Sequence, residues 1–268
     1  MKHLFIYINL VLSLFFISCE DVVTLDLDTA KEKLVIDALL KTEGNTSLQT
    51  IKLSKTTPFY ADQANPQLNA QVWITTDTNR TFYFIDENNN GNYICRDFEM
   101  DETAMYTLHV ISENQTYEAT ANFYATPEIE DITVTADGGF SGEDYEIKIY
   151  YQDNPNQENF YQLIENSEGY NDYKITSDSF SNGDLMYFII FNDELESGDT
   201  FTVKFSETSK LYYQYMNRIL SISQDSGNPF ASPIGEIRGN ILNTTNNQNY
   251  PLGYFSLHKE YTRTVVIP

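Results

Sequence analysis

Short strand-like segments follow one another along most of this chain, and they constrain its fold more than any other feature. From Leu34 onward, runs rich in β-branched and aromatic residues alternate with turns rich in Asn, Gly, Asp or Pro. Typical runs are LVIDALL, AQVWITTD, TFYFIDE, YTLHVIS, YEIKIYYQD and TFTVKFS. Closely spaced short strands are typical of a β-sandwich or barrel. The sequence therefore predicts a mainly β protein.

A change of pattern near Pro127 divides the predicted strands into two groups. Proline removes a backbone donor and interrupts strand pairing, and a new set of strands begins at Ile132. We predict two tandem antiparallel β-sandwich domains of the immunoglobulin or fibronectin type, over residues 33–126 and 127–268. Trp73, the single tryptophan, is expected to anchor the first core.

One segment of the second domain has helical periodicity. In KLYYQYMNRILSISQ, apolar residues recur at helical spacing, at Leu211, Tyr215, Ile219 and Ile222. This pattern predicts an amphipathic helix over about residues 208–223, capped by the hydroxyl of Ser206 or Thr208. We expect its apolar face to pack on the second sheet, and binding of a partner is the alternative.

The first residues indicate a targeting segment. Lys2 precedes an apolar run from Leu4 to Ile17, which is shorter than the roughly 20 residues of a membrane-spanning helix. A charged start, an apolar run of this length and a small residue at its end are typical of a secretory signal peptide. We therefore predict residues 1–18 as the leader. A buried helix of the mature fold is the alternative.

A cysteine follows the predicted leader. Phe16-Ile17-Ser18-Cys19 resembles a bacterial lipobox, in which a signal peptidase cuts before a cysteine that carries diacylglycerol. One acyl chain anchors a protein marginally, and two or more anchor it stably. We expect acylated Cys19 to bind membrane lipid, with residues 19–32 as an acidic tether. An ordinary leader beside a chance cysteine is the alternative.

Charge and composition argue against several classes of function. The chain holds 39 Asp and Glu against 16 Lys and Arg, a formal net charge of −23, and such a field repels the phosphates of nucleic acids. Its 20 Tyr and 17 Phe supply core material that a disordered acidic chain would lack. With Cys19 acylated, Cys95 has no cysteine to pair with, so we expect no intramolecular disulfide. We predict a folded protein with no nucleic-acid partner.

Sequence patterns for catalysis are sparse. The mature chain keeps His109 and His258, which lack the spacing of a metal pair, and we expect both to be structural or surface residues. The sequence has no nucleophile elbow, phosphate loop or dinucleotide fingerprint. We therefore predict no enzymatic activity, no catalytic residue, no metal site and no cofactor.

One loop leaves two interpretations open. Asp86, Asn88, Asn90 and Asp97 have the ligand spacing of a calcium loop. The segments on either side predict strands, whereas calcium loops of this type lie between helices. These residues either hold calcium or only form a hairpin turn.

The order of several motifs resembles a known family. The Cys19-Glu20-Asp21 start is followed by KLVIDALL, LSKTTPF, AQVWITTD, YYQDNPNQENFY and NPFASP. This order is similar to that of a family of Bacteroidota outer-membrane lipoproteins of unknown function, whose genes commonly lie beside those of TonB-dependent receptors. The resemblance implies a non-enzymatic accessory of an outer-membrane transporter, which helps to capture or retain its ligand. A structural or adhesive surface lipoprotein without a transporter partner is the alternative.

The same resemblance implies a location. Glu20 and Asp21 resemble the signal that directs lipoproteins of that phylum to the cell surface. Asp28-Thr29-Ala30 resembles the short acceptor motif for O-glycosylation in that phylum, so Thr29 is a candidate modification site. We expect a protein that is lipid-anchored in the outer membrane and faces the cell exterior.

Overall fold

Strands predominate in the structure, a computed structural model that describes residues 31–43, 47–57, 64–139, 142, 144–168, 170–179, 183, 185–225 and 236–268. The strands are β1 (Leu34–Thr42), β2 (Gln49–Lys55), β3 (Asn65–Pro66), β4 (Gln71–Thr76), β5 (Thr81–Phe84), β6 (Asn92–Cys95), β7 (Met105–Ser112), β8 (Gln115–Tyr124), β9 (Ile129–Gly138), β10 (Asp144–Gln152), β11 (Phe160–Ser167), β12 (Tyr170–Ser177), β13 (Leu185–Asn192), β14 (Thr200–Thr208), β15 (Leu242–Asn243) and β16 (Leu252–Val266). The helix α1 (Lys210–Asp225) lies between β14 and β15. The prediction of a mainly β, sandwich-like fold is confirmed.

The first hydrophobic core lies between two groups of strands. β2 pairs with β1, β3 and β6 in one group, and β5, β4, β7 and β8 are successive neighbours in the other. In β7, Tyr106, Leu108 and Val110 are buried, whereas Met105 is exposed. Because successive side chains of a strand point to opposite faces, this alternation turns one face of the sheet towards the core.

The second core has a similar construction. β12, β11 and β14 are neighbours in one layer, and a separate three-stranded sheet in the order β13, β10, β9 packs against it. Tyr151, Tyr161 and Phe205 meet inside, with ring centroids between 4.9 and 5.3 Å apart. Aromatic pairs at such separations contribute about 0.5–1.5 kcal/mol each beyond the burial of their area.

β16 belongs to both cores. Its first half pairs in parallel with β1, and its second half pairs antiparallel with β14. Phe255 and Leu257 are fully buried in the first core, whereas Tyr261 and Val265 pack against the second. The final strand therefore joins the two sandwiches.

The shared strand bears on the predicted division of the chain at residue 126. β8 ends at Tyr124 and β9 begins at Ile129, so the predicted boundary falls between strands. Ile241, Phe255 and Leu257 follow this boundary in sequence but lie in the first core. Residues 32–268 form one compact unit. The predicted span 127–268 thus contributes to both cores, because its last strand returns to pair with β1.

A glycine permits the pairing of β1 with β16. Gly253 has a φ of +100°, and a Cβ atom there would lie 2.0 Å from the carbonyl oxygen of Ile36. Glycine adopts this backbone conformation without steric cost and leaves room for the neighbouring strand. Ile36 is fully buried in the first core, so its strand cannot move away without disturbing the packing.

The helix begins later than the sequence predicts. It covers Lys210–Asp225 rather than residues 208–223. Its cap is Ser209, whose Oγ accepts a hydrogen bond from the N–H of Tyr212 at 3.0 Å. The predicted caps Ser206 and Thr208 are wrong because both residues lie in β14.

One residue of the predicted apolar stripe is exposed. Leu211, which we placed on the apolar stripe, is 65% exposed, whereas Tyr212 is 2% exposed. The Tyr212 ring packs on Tyr254 of β16 with centroids 5.0 Å apart. Helix α1 therefore attaches to the shared strand through its tyrosines.

Substitution of Gly253 tests the close approach of β1 and β16. Gly253 and Gly198 have φ values of +100° and +98°, so an alanine at either position carries a similar strain of about 1–3 kcal/mol. A Cβ at Gly198 meets no atom within 4 Å, whereas one at Gly253 meets the backbone of Ile36. We expect Gly253→Ala to lower the free energy of unfolding in urea by more than about 3 kcal/mol, and Gly198→Ala to lower it much less. Equal losses would contradict the close approach.

Candidate functional site

β13 exposes a row of large apolar side chains. Leu185, Tyr187, Ile189 and Phe191 are 54%, 50%, 42% and 47% exposed, respectively. They alternate along the strand and therefore lie on one face of it. We call these four residues the β13 row. A contiguous apolar surface on a folded protein commonly marks a place where another molecule binds.

The opposite face of β13 packs on the second core. Ile190 is 1% exposed, and Met186 and Phe188 pack against the same cluster. The Phe188 ring stacks on Tyr151 with centroids 5.0 Å apart. These contacts hold the strand in place while its outer face stays open.

The backbone of β13 is open along one side. The strand lies at the end of the three-stranded sheet and, among the described strands, pairs with β10 alone. An edge strand presents unpaired N–H and C=O groups to which a further strand can add. Charged side chains commonly protect such edges, but the β13 row has none. The strand thus offers both backbone hydrogen bonds and apolar contacts to a partner.

Polar and aromatic groups of β10 lie beside the row. Tyr150 is opposite Tyr187 in the strand pairing, with ring centroids 5.5 Å apart. Lys148 Nζ lies 5.6 Å from the Tyr187 ring centroid and forms an ion pair of 2.5 Å with Glu146. An apolar edge next to aromatic and charged groups is the usual anatomy of a protein-binding surface.

A cavity of about 390 Å³ lies where β8 leads into β9. Its walls come from the end of β8, the following residues up to Pro127, the segment after β10, and the side chains of Tyr161 and Glu207. We call it the junction cavity. Glu207 is buried, so the cavity reaches an ionisable group inside the fold.

Glu207 belongs to a buried acid cluster with Asp153 and Asp178. The Tyr161 hydroxyl donates to Asp153 Oδ1 at 2.5 Å, and the Gly183 N–H donates to Asp153 Oδ2 at 2.8 Å. Asn159 connects the other two acids: its backbone N–H donates to Asp178 Oδ2 at 3.0 Å and its Nδ2 donates to Glu207 Oε1 at 2.7 Å.

Burial controls the ionisation of this cluster. It raises the pKa of Glu207 to about 7, the hydrogen bond from Asn159 opposes the rise, and the charges of Asp153 and Asp178 add to it. Burial also raises the pKa of Asp178. Glu207 can therefore hold or release a proton near neutral pH at the wall of the junction cavity.

Hydrogen bonds hold the acid cluster together. Within the described ranges, His, Cys, Asp and Glu side chains do not gather in groups of three or more that could hold a metal ion. Both carboxylate oxygens of Asp153 accept hydrogen bonds from the protein. The cluster therefore links the ends of β10, β12 and β14.

The Asp86 loop connects β5 and β6, with an antiparallel bridge between Ile85 and Ile94. Asp86 Oδ1 and Oδ2 accept hydrogen bonds from the N–H groups of Asn90 and Gly91, at 3.1 and 2.9 Å. Asn90 Oδ1 in turn accepts from the N–H of Asn92 at 3.0 Å. These hydrogen bonds close the turn between β5 and β6. The two remaining residues of the motif, Asn88 and Asp97, are exposed.

Cys19, Glu20, Asp21 and Thr29, which the sequence singles out, lie outside the described residues.

The single tryptophan does not anchor the first core as predicted. Trp73 is partly exposed on the outer face of β4 and stacks on His109 with centroids 5.0 Å apart. His258 is buried within β16, and burial lowers its pKa to about 4. Cys95 is buried and has a free thiol.

The β13 row was missed by sequence reasoning, although the sequence carries a signal for it. LMYFIIFN is apolar at nearly every position, whereas a strand with one solvent-facing side should alternate apolar and polar residues. Apolar residues on both faces of an edge strand indicate that its outer face, as well as its core-facing side, is a contact surface.

α1 does not cross a membrane. No helix in the described ranges has both the length and the apolar character to do so.

These features define a β-sandwich scaffold with two cores, an exposed edge strand and a cavity at the junction. A family model described as "Domain of unknown function (DUF4249)" matches residues 20–264, which include the edge strand and the residues of the junction cavity. The chain therefore belongs to that family. A comparison with the curated proteins finds no match.

Several solved structures are similar to parts of the chain. A two fibronectin type-III domain segment from chicken tenascin has a TM-score of 0.22 and 11% identity, covering 66% of this chain and 91% of that one. A cytokine receptor complex has a TM-score of 0.27 and 7% identity, covering 68% and 86%. The FN1–FN3 domains of chicken CNTN1 have a TM-score of 0.21 and 10% identity, covering 66% and 59%. Similarities this weak carry no argument, so the fold assignment depends on the strands themselves.

The raised pKa of Glu207 predicts how stability depends on pH. The folded state binds this proton up to about pH 7, whereas an unfolded glutamate loses it near 4.5. The free energy of unfolding should therefore fall as pH rises from about 4.5 through 7, by up to about 3 kcal/mol from this group. Urea unfolding at a series of pH values measures the slope.

Glu207→Gln should remove this contribution, so its free energy of unfolding should gain relative to the parent as pH rises from about 4.5 through 7, whereas the exposed Glu130→Gln should follow the parent. The pH dependence left in Glu207→Gln combines a fall from Asp178, whose pKa is raised, with a rise from His258, whose pKa is lowered. Identical pH dependence of Glu207→Gln and the parent protein would contradict the assignment.

Proposed function

We propose that this chain is a non-enzymatic lipoprotein of the outer membrane, which docks on a TonB-dependent transporter and helps it to capture or retain its ligand. The anchor in this proposal is Cys19, the residue after the predicted leader. Membership of a family of unknown function over residues 20–264 agrees with the resemblance from which the proposal starts. The observation that carries the docking step is the β13 row.

Strand addition is the form of docking that β13 favours. A partner strand can pair with the free edge of Leu185–Asn192, while its apolar side chains cover the β13 row. Backbone hydrogen bonds then supply affinity, and the side chains at alternate positions supply specificity. Phe188 and Ile190 already hold β13 against the core, so little ordering entropy is lost on binding.

A non-enzymatic role agrees with the state of the buried acids. The Asp153 carboxylate is engaged by Tyr161 and Gly183, and Asp178 accepts from the backbone of Asn159. Of the three acids, Glu207 alone lines the junction cavity. Acid–base hydrolysis by paired carboxylates needs two such groups facing one substrate.

Charge substitutions in the β13 row test the docking step. We expect a tagged parent protein to retain a TonB-dependent receptor, identified by mass spectrometry, on purification from solubilised outer membranes. A Tyr187→Lys, Ile189→Lys double variant should lose most of it, because two buried charges would face the partner. Leu242→Lys is the matched control, since Leu242 is 68% exposed on β15.

The docking proposal fails if the parent protein retains no such receptor or if the double variant retains it fully. Retention of a second copy of this chain alone would also contradict it. Both variants should keep the thermal midpoint of the parent, because exposed side chains contribute little to stability.

Replacement of Cys19 tests the anchor separately. Cys19→Ala removes the sulfur that would carry diacylglycerol, and with it the acyl chains that hold the protein on the bilayer. We expect the variant to leave the membrane pellet on carbonate washing, while the parent stays. Parent and variant remaining in the pellet to the same extent would contradict lipidation at this residue.

A further inference from the structure

A second cavity, of about 190 Å³, lies between α1 and the residues that precede β15. Leu211, Gln214, Tyr215 and Arg218 line it from the helix, and Arg238, Asn240 and Tyr254 line it from the other side. We call it the arginine cavity. Its volume corresponds to roughly six molecules of liquid water, which suits a small ligand group.

The helix presents its residues to this cavity by ordinary geometry. Gln214 and Arg218 are four positions apart, and Tyr215 and Arg218 are three apart, so all three share one face. The Tyr215 ring packs on Tyr254 with centroids 5.0 Å apart, which fixes that face against β16. Arg218 is exposed beside this contact.

The opposite wall is also fixed. Asn240 donates from Nδ2 to the carbonyl of Phe255 at 2.8 Å and accepts from its N–H at 2.9 Å. The Arg238 guanidinium carbon lies 3.4 Å from the centroid of the Tyr250 ring. Contact with an aromatic face stabilises the cation without neutralising it.

Neither guanidinium group forms a direct ion pair with a carboxylate whose side chain the structure describes, and Glu236 acts on Arg238 only at longer range. No described Asp or Glu forms an ion pair with Arg218 or Arg238, although ion pairs involve most other basic side chains of the fold. Glu236, the nearest acid in sequence to Arg238, is engaged by Lys33 and by the Tyr250 hydroxyl. Two arginines without a direct ion pair thus line one cavity of a chain with 39 acidic and 16 basic residues.

We propose that the arginine cavity binds an oxyanion, the phosphate group of a soluble ligand or of a lipid headgroup. The planar guanidinium fork matches the oxygens of such a group and forms paired, charge-assisted hydrogen bonds with them. Arg218 contributes from the helix and Arg238 from the opposite wall. The site is separate from the β13 row, so it does not depend on the docking of a transporter.

Calorimetry with inorganic phosphate tests the site in the full chain carrying Cys19→Ala, so that the acyl anchor does not contribute. We expect saturable binding, weakened at least about tenfold by Arg218→Gln or by Arg238→Gln. Arg218→Lys keeps the charge but loses the fork, and it should bind with intermediate affinity. Arg263→Gln is the matched control, because Arg263 pairs with Glu128 elsewhere on the surface.

A flotation assay distinguishes the two sources of phosphate. Vesicles of phosphatidylcholine with and without phosphatidylglycerol are mixed with the same proteins. Binding to the anionic vesicles alone, lost in both glutamine variants, supports the site with a lipid as its ligand. Saturable binding of inorganic phosphate with the same losses supports it with a soluble ligand.

The proposal is overturned if neither probe binds, or if binding is the same in the glutamine variants as in Arg263→Gln. Circular dichroism of each variant must match the parent spectrum. Should a glutamine variant fail to fold, Arg218→Lys decides the question through its reduced affinity.

Discussion

The pairing of the first strand with the last is the contact on which the rest of this structure depends. β1 and β16 run in parallel, although they stand at opposite ends of the described chain. Between its two apolar parts, β16 carries buried polar residues: His258 bonds to Gln162 at 3.3 Å, and Glu260 forms an ion pair with Lys41 at 2.7 Å. Unpaired, these groups would be costly to bury. Their partners come from both halves of the chain, so the junction is complete only when both sandwiches have formed.

The joining of the two sandwiches through β16 explains how a protein without evident catalytic machinery can still present specific surfaces. The sheet of β9, β10 and β13 packs on the core that β16 helps to build, and its last strand keeps a free edge. Helix α1 is attached to β16 through Tyr212 and Tyr254, which places Arg218 opposite Arg238 at a second cavity. In the proposed function, an acylated Cys19 keeps both surfaces at the membrane, where a transporter partner and lipid phosphates are within reach.

Local patterns predicted most of the strands, because alternation and turn residues are properties of neighbours in sequence. They did not predict which face of a strand is buried when both faces carry apolar residues. In β4, Val72 and Ile74 lie in the core, whereas Trp73 between them lies on the outer face. Leu211 and Tyr212 are adjacent in the helix, and Tyr212, with the larger aromatic side chain, is the buried one. The pairing of β1 with β16, the acid cluster and the arginine cavity all join residues distant in sequence, so no local pattern could reveal them.

The central claim is that the two sandwiches form one unit through β16, and cooperative unfolding tests it most directly. Trp73 is the single tryptophan and reports on the first sandwich, while hydrogen exchange of peptides from β10 and β14 reports on the second core. Both signals should change over the same range of urea concentration, as for a two-state domain. Loss of the native Trp73 fluorescence at a urea concentration where β10 and β14 stay protected would show two independent domains and contradict the account.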